Sequence, residues 1–245
     1  MFIHLYQIPP KNRDEIDGSL GHHCQFIETP LPKIDEPICL VKENVDSDKF
    51  LRAYLKYCNP NHNFCSHVFF MQNDTKTFLL ADAVMNIDPD AKTLSKIVEN
   101  TVDFYRQLHL DEYKPTVHVN LLTNSGHFSL SNPTSCKMQL VKDYFDSHPM
   151  VNNDLHITTW QLDTCLYNKA RRVKGIVGDT FLYSPDIIIV PNLDTGNAIY
   201  KALMQEYKCY GFVIGGTTPA ILNSRSDLDK NEEAIKILKD LNLVK

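Results

Sequence analysis

Between residues 117 and 214, apolar runs of strand length alternate with amphipathic runs of helix length, and no other feature constrains the fold as tightly. Strands are read at 117–122, 155–159, 187–190 and 212–214, and helices at 136–145, 163–173 and 196–206. A strand that leaves a sheet through a helix and returns to it pairs parallel with its predecessors, by a right-handed crossover. The expected class is therefore α/β, with a largely parallel sheet and helices packed on it. Upstream, 38–41 reads as a strand, and Asp46 or Ser47 caps a helix bearing Phe50, Leu51, Tyr54 and Leu55 at helical spacing. Segments 68–71 and 77–81 form a hairpin across Gln72-Asn73-Asp74. A helix begins at Asp90 or Thr93 and ends near His109, and a last one spans 232–241. Lys114-Pro115 is the preferred domain boundary.

A chain of 245 residues accommodates one large or two modest α/β domains. Its 43% hydrophobic and 22% charged residues are those of a folded globular protein. No apolar run reaches the roughly 18–20 residues that a membrane-spanning helix needs. The first residues, Met1 to Asp17, lack a basic region followed by an apolar run, so neither membrane insertion nor secretion is expected. A net charge of −5 sets aside a nucleic-acid surface. Cys24, Cys39, Cys58, Cys65, Cys136, Cys165 and Cys209 form no CxxC pair, and the histidines show no metal-ligand spacing. Reduced thiols in a cytoplasmic protein, with no bound metal, are the expectation.

Segment 186–227 carries the most chemistry. Its two apolar strands each open into a Gly-bearing polar loop, Asn192-Leu193-Asp194-Thr195-Gly196-Asn197 and Gly215-Gly216, and Ser224-Arg225-Ser226-Asp227 lies beyond. Strand ends and helix N-termini hold small anions in open α/β sheets, because outward-pointing N–H groups gather there. Arg225 offers a planar fork of donors to a phosphate, Ser224 a hydroxyl, and Asp227 a carboxylate to take a proton or orient Arg225. Each has a plainer alternative. Ser224, Asp227 or Asp229 can cap the last helix, Asp194 or Thr195 the preceding one, and Arg225 and Lys201 can be solvated charges. Ser66-His67 is either a substrate contact or a hydrogen-bonded core pair, and Asp82 with Asn86 either lines a cleft or fixes a turn.

The run V-P-N-x-x-x-G-N-x-x-Y-K-A-L from Val190, an apolar strand, Gly215-Gly216 and S-R-x-D from Ser224 resembles the phosphate acyltransferases. Ser66-His67-Val68, the stretch from Ala81 to Ile87, and Leu162-Asp163 extend the likeness in unbroken order over residues 38–245. It is closer to the phosphate butyryltransferase branch than to the acetyltransferases. The resemblance implies a two-domain isocitrate/isopropylmalate dehydrogenase-like fold with largely parallel sheets and an interdomain cleft. Domain I would comprise residues 1–115 plus 223–245, and domain II residues 116–222. The implied activity is exchange of a short-chain acyl group between CoA and orthophosphate, with CoA or acyl-CoA as substrate, no bound cofactor, and a homodimer as the assembly. Ser224, Arg225 and Asp227 are the implied catalytic group. Asn192, Thr195, Gly196, Asn197, Gly215, Gly216, Ser66 and His67 are the implied substrate contacts. Phosphate attack on the thioester passes through an oxyanion that Ser224, Arg225 and backbone N–H groups can stabilise, and holding both reactants in line supplies much of the acceleration. The alternative is a relative that keeps the scaffold but has lost catalysis and binds a ligand or partner. An NAD-dependent dehydrogenase on the same scaffold is disfavoured, since neither a metal-binding aspartate cluster nor G-x-G-x-x-G is present.

The chain departs from that pattern on the side of anion binding. Lys42 is followed by Glu43 rather than glycine, and segment 59–64 has His62 as its only basic residue where the family has arginine. Ile157-Thr158-Thr159 replaces D-G-P, with Trp160-Gln161 following, and Thr217 stands where butyryltransferases place a lysine. Asn231 occupies the position, seven after Ser224, of the acid that the acetyltransferase branch is thought to use as base. Each lost ionic contact to a phosphate removes about 1.5–3 kcal/mol.

Overall fold

The computed structural model describes residues 2–6, 24–27, 38–42, 46–57, 59, 61–108, 116–148, 154–176, 184–217, 220–224 and 230–240. In chain order the strands are β1 (Phe2–Tyr6), β2 (Cys24–Ile27), β3 (Ile38–Lys42), β4 (Ser66–Gln72), β5 (Thr77–Ala81), β6 (Val117–Leu121), β7 (Leu155–Thr158), β8 (Ile187–Ile189), β9 (Lys208–Ile214) and β10 (Ala220–Ile221). The helices are α1 (Ser47–Tyr57), α2 (Ala91–Leu108), α3 (Pro133–Ser147), α4 (Leu162–Leu166), α5 (Asn168–Val173), α6 (Leu193–Leu203) and α7 (Asn231–Asp240). They fall into two compact units, Met1–His67 with Cys209–Lys245, and Val68–Lys208. The boundary expected at Lys114-Pro115 lies outside the described residues.

In the first unit, β2, β1, β3 and β10 pair parallel in that order, and β9 pairs antiparallel with β10. Asp46 starts α1, its Oδ1 accepting from the backbone N–H of Asp48 at 3.0 Å. Helix α7 packs on β10 and buries Ala234, Ile235 and Leu238 at i, i+1 and i+4.

In the second unit, β4 and β5 make the expected antiparallel hairpin, with Val68 opposite Ala81. From β5 the sheet continues parallel through β8, β6 and β7. Ile187, Ile188 and Ile189 of β8 are buried on both faces, which is why this strand is uninterruptedly apolar. Helix α2 is capped by Asp90, whose Oδ1 accepts from the Thr93 N–H at 2.7 Å. It lays Leu94, Ile97, Val98, Thr101, Val102 and Tyr105 into the core and packs against β8 and α3. Tyr200 of α6 stacks flat on Phe69 of β4, with ring centroids 3.9 Å apart. Burial of each such side chain contributes about 1.5–3 kcal/mol.

One expected element divides. The run 163–173 is two helices, broken at Tyr167, whose φ −124° and ψ 120° are extended. The break frees carbonyls at the end of α4, and two cations collect them. Arg171 Nη1 donates to Thr164 O at 2.6 Å and Cys165 O at 3.2 Å, while Lys76 Nζ donates to Cys165 O at 3.2 Å and also to Leu166 O. Burial, with Arg171 close by, pushes the Lys76 amine down to about 8. Helical periodicity cannot register such a side-chain-stabilised break.

The order β5-β8-β6-β7 positions the site. From β6 the chain crosses one way to β7, then back past β6 to β8. Right-handed crossovers in opposite directions put their helices on opposite faces and open a crevice at the carboxyl ends, between β6 and β8. Gly196 belongs to this packing. A Cβ there would stand 2.8 Å from the Ala83 Cα and 2.9 Å from Val190 Cγ2, both parts of the sheet's end. Gly196→Ala is expected to lower unfolding stability by about 1–3 kcal/mol in urea titration through overpacking, and an unchanged midpoint would contradict this packing.

Candidate functional site

All four parallel strands of the second unit end on one edge, and their loops are fastened to one another. After β5, the buried Asp82 accepts from the N–H groups of Val84 (3.0 Å) and Met85 (2.9 Å) and from Asn86 Nδ2 (2.6 Å). Asp82 and Asn86 thus fix the turn. Ile87 O accepts from the Leu193 N–H at 2.9 Å, joining the β5 loop to the loop after β8. Lys137 of α3 reaches both, its Nζ 3.0 Å from Asp88 Oδ1 and 3.0 Å from Pro191 O. After β6, Thr123 Oγ1 donates to Ser125 O at 2.7 Å, and its N–H donates to Trp160 O at 3.2 Å in the loop after β7. The result is a prearranged edge that needs little ordering on binding.

Within it, the loop from Asn192 to Asn197 has a different cap from the one expected. Asn192, not Asp194 or Thr195, caps α6, with Oδ1 accepting from the Thr195 N–H at 2.9 Å. The N–H groups of Leu193, Thr195 and Gly196 are all engaged within the chain. This helix start therefore has little donor capacity left for an anion, and Gly196 serves close packing more than close approach of a ligand. Asn192, Thr195 and Asn197 remain half-buried on the edge, and Lys201 is exposed, 5.0 Å over the Tyr200 ring.

In the first unit the expected residues separate. The β9–β10 register sets Val213 opposite Ala220 and Phe212 opposite Ile221, so Gly215-Gly216 sits at one end of this pair and Ser224 at the other. At about 3.3 Å per residue the two are roughly 20 Å apart. Gly215 has φ +83°, and a Cβ on Gly216 would lie 2.1 Å from the Tyr54 hydroxyl and 3.1 Å from Cys65 Sγ. Both glycines are explained by the turn and by packing against α1. Ser66 and His67 are fully buried, and His67 Nε2 lies 3.2 Å from Leu222 O, to which it donates. Both side chains are thus held inside the first unit.

Ser224 is half-buried just after β10, and what holds it there is Asn223. The buried Asn223 accepts from the Gly211 N–H at 2.7 Å and donates to Asn231 Oδ1 at 2.8 Å. Asn231, in the place of the family's acid, is thus a buried anchor for the start of α7. Arg225, Asp227 and Asp229 lie outside the described residues. Lys42, noted in the sequence only for the glycine missing after it, shares Ser224's end of the sheet as the last residue of β3, only 1% exposed. It stands one step beyond the Val41–Ile221 pair of the parallel β3–β10 ladder. A lysine closing an apolar strand was the available signal, and it is weak. Asn223→Ala strips both partners from buried groups and should cost about 1–3 kcal/mol in urea unfolding; a neutral result would show that the strand end is not anchored in this way.

Cysteine chemistry finds no support at either end. Burial raises the Cys39 and Cys165 thiols to about 12, and Cys65 is raised by burial against a smaller opposing hydrogen bond from Tyr54. Among the described residues no three His, Cys, Asp or Glu side chains are grouped to hold a metal ion.

Comparison with known proteins places these features in a family. Residues 39–237 match the family described as phosphate acetyl/butaryl transferase. A phosphate acetyltransferase from Rickettsia prowazekii is 26% identical over 223 residues, covering 89% of this chain and 62% of the relative. The chain thus spans less than two thirds of that relative's length. Among solved structures, a branched-chain phosphotransacylase from Enterococcus faecalis superposes with a TM-score of 0.78 over the whole of both chains at 22% identity. A protein described as a 4-hydroxythreonine-4-phosphate dehydrogenase, from Salmonella typhimurium, does so with 0.50 at 9% identity, over 84% of this chain and 64% of that one. The two structures agree with the dehydrogenase-like α/β fold expected from the sequence.

Proposed function

The chain belongs to the phosphate acetyl/butaryl transferase family, and from that premise we propose that it exchanges a short-chain acyl group between CoA and orthophosphate. The observation that carries this reading is the unbroken family match from residue 39 to 237, which includes the strand-end loops of both units. Orthophosphate attacks the thioester carbonyl, the carbon–sulfur bond breaks, and acyl phosphate and CoA thiol leave. Ser224 and Arg225 stabilise the oxyanion and hold the phosphoryl group. Asp227 accepts the thiol proton of CoA in the reverse direction or orients Arg225, since Asn231 cannot take a proton and is bonded to Asn223. Lys42 supplies the positive charge that segment 59–64 lacks. The resemblance adds Asn192, Thr195 and Asn197 as substrate contacts.

The role given to Lys42 depends on its lying at the same strand ends as Ser224. A cytoplasmic location accords with the free thiols of Cys39, Cys65, Cys136, Cys165 and Cys209. We extend the proposal to a homodimer, on the strength of the resemblance alone. No described helix is long and apolar enough to cross a membrane.

A second reading, a scaffold that binds CoA without turnover, is favoured by the Asn223–Asn231 bond at the place of the family's acid. Thiol release from acetyl-CoA or butyryl-CoA with phosphate separates the two. The first reading predicts phosphate-dependent release that Arg225→Ala abolishes, and a KM for phosphate at least tenfold higher in Lys42→Met, as expected for loss of one ionic contact of about 1.5–3 kcal/mol. Stabilisation by CoA without any release at high phosphate would leave only the second.

A further inference from the structure

The second unit holds a cavity of ≈ 430 Å³ beside the ends of β6 and β7, lined by Asn124, His127, Trp160, Gln161, Thr164 and Lys174 among others. Its volume lies in the range of small-molecule sites. None of the groups assigned to the reacting atoms above lines it. Its position, at the carboxyl ends of parallel strands, is one where α/β sheets take ligands.

The walls are braced before any ligand arrives. Asn120 fixes the Trp160 backbone from both sides, accepting from its N–H at 2.7 Å and donating to its carbonyl at 3.2 Å. Gln161 Nε2 donates to Asn124 O at 2.7 Å. Lys174 Nζ donates to Asp163 Oδ1 at 2.6 Å, to Thr164 Oγ1 at 3.0 Å and to Gln161 Oε1. The last set decides what the cavity can select. The Lys174 charge is met by Asp163, whose carboxyl its hydrogen bond holds below the usual range, so this lysine brings no unbalanced charge to the space. A phosphate gains little there. A half-buried indole among amide and hydroxyl groups instead offers a flat apolar face with polar edges, which suits a planar heteroaromatic ring.

We infer that this cavity takes a purine base, stacked on Trp160 and edged by the Asn124 amide nitrogen, with Gln161 holding the wall in place. The inference rests on the reading of CoA as substrate, whose adenine end is the purine concerned. It also gives a purpose to Trp160-Gln161, which follow the Ile157-Thr158-Thr159 that replaces the family's D-G-P.

Trp160 is the only tryptophan in the chain, so its emission reports this cavity alone. The experiment is a titration of the full chain, excited at the red edge of the indole band, with adenosine, CoA and, as the ligand without a base, pantetheine. Adenosine and CoA should change the emission saturably and pantetheine should not. Gly126→Leu adds a side chain at the cavity wall where a Cβ meets no atom within 4 Å, so it should keep the melting temperature and weaken adenosine binding at least tenfold. Thiol release together with unchanged emission overturns the purine site while the acyl-exchange reading survives. Adenosine binding without thiol release leaves the site and removes that reading. An equal response to pantetheine, or full adenosine affinity in Gly126→Leu, also overturns the purine site.

Discussion

The parallel pairing of β8 between β5 and β6 is the constraint on which the second unit depends. Ile187 to Ile189 can be apolar on both faces only because helices cover the sheet on both sides, and parallel strands require those helices as crossovers. Once β8 is inserted beside β6, the crossovers run in opposite directions, and the carboxyl ends of β5, β8, β6 and β7 share one edge. The hydrogen bonds of Asp82, Lys137, Thr123 and Asn120 then fasten the loops along that edge. Rigid strands thus carry loops whose polar groups are already paired, leaving few free donors on the edge itself.

The first unit follows the same logic with one reversal. Because β9 runs antiparallel to β10, the glycine-bearing turn and the serine after β10 face opposite ends. The parallel β3–β10 ladder gathers Lys42 and Ser224 at one of those ends, and the Asn223–Asn231 bond secures it. Gly215-Gly216, which invites reading as an anion cradle, also answers to backbone conformation and to the Tyr54 hydroxyl behind it.

Element type and order were legible in the sequence because period-2 and period-3.6 patterns follow directly from which face is buried. Strands 38–41, 68–71, 77–81 and 117–122 and the last helix recur in the structure within one or two residues. The break at Tyr167 was not legible, since Lys76, distant in sequence, joins Arg171 in stabilising it. Side-chain roles were harder still. Gly196 and Gly216 look alike to a sequence reader, whether they admit a ligand or a neighbouring residue. His67 and Ser66 carry the same letters buried as exposed. Strand direction decided the separation of Gly215 from Ser224, and direction in a hairpin without a short diagnostic turn is invisible until pairing is known.

Crystals soaked in phosphate or sulfate would test the central claim most directly. The account predicts an anion at the carboxyl ends of β3 and β10, with Lys42 Nζ and Ser224 Oγ within hydrogen-bond reach. An anion bound instead at the Gly215-Gly216 turn, with the Lys42 end unoccupied, would contradict it.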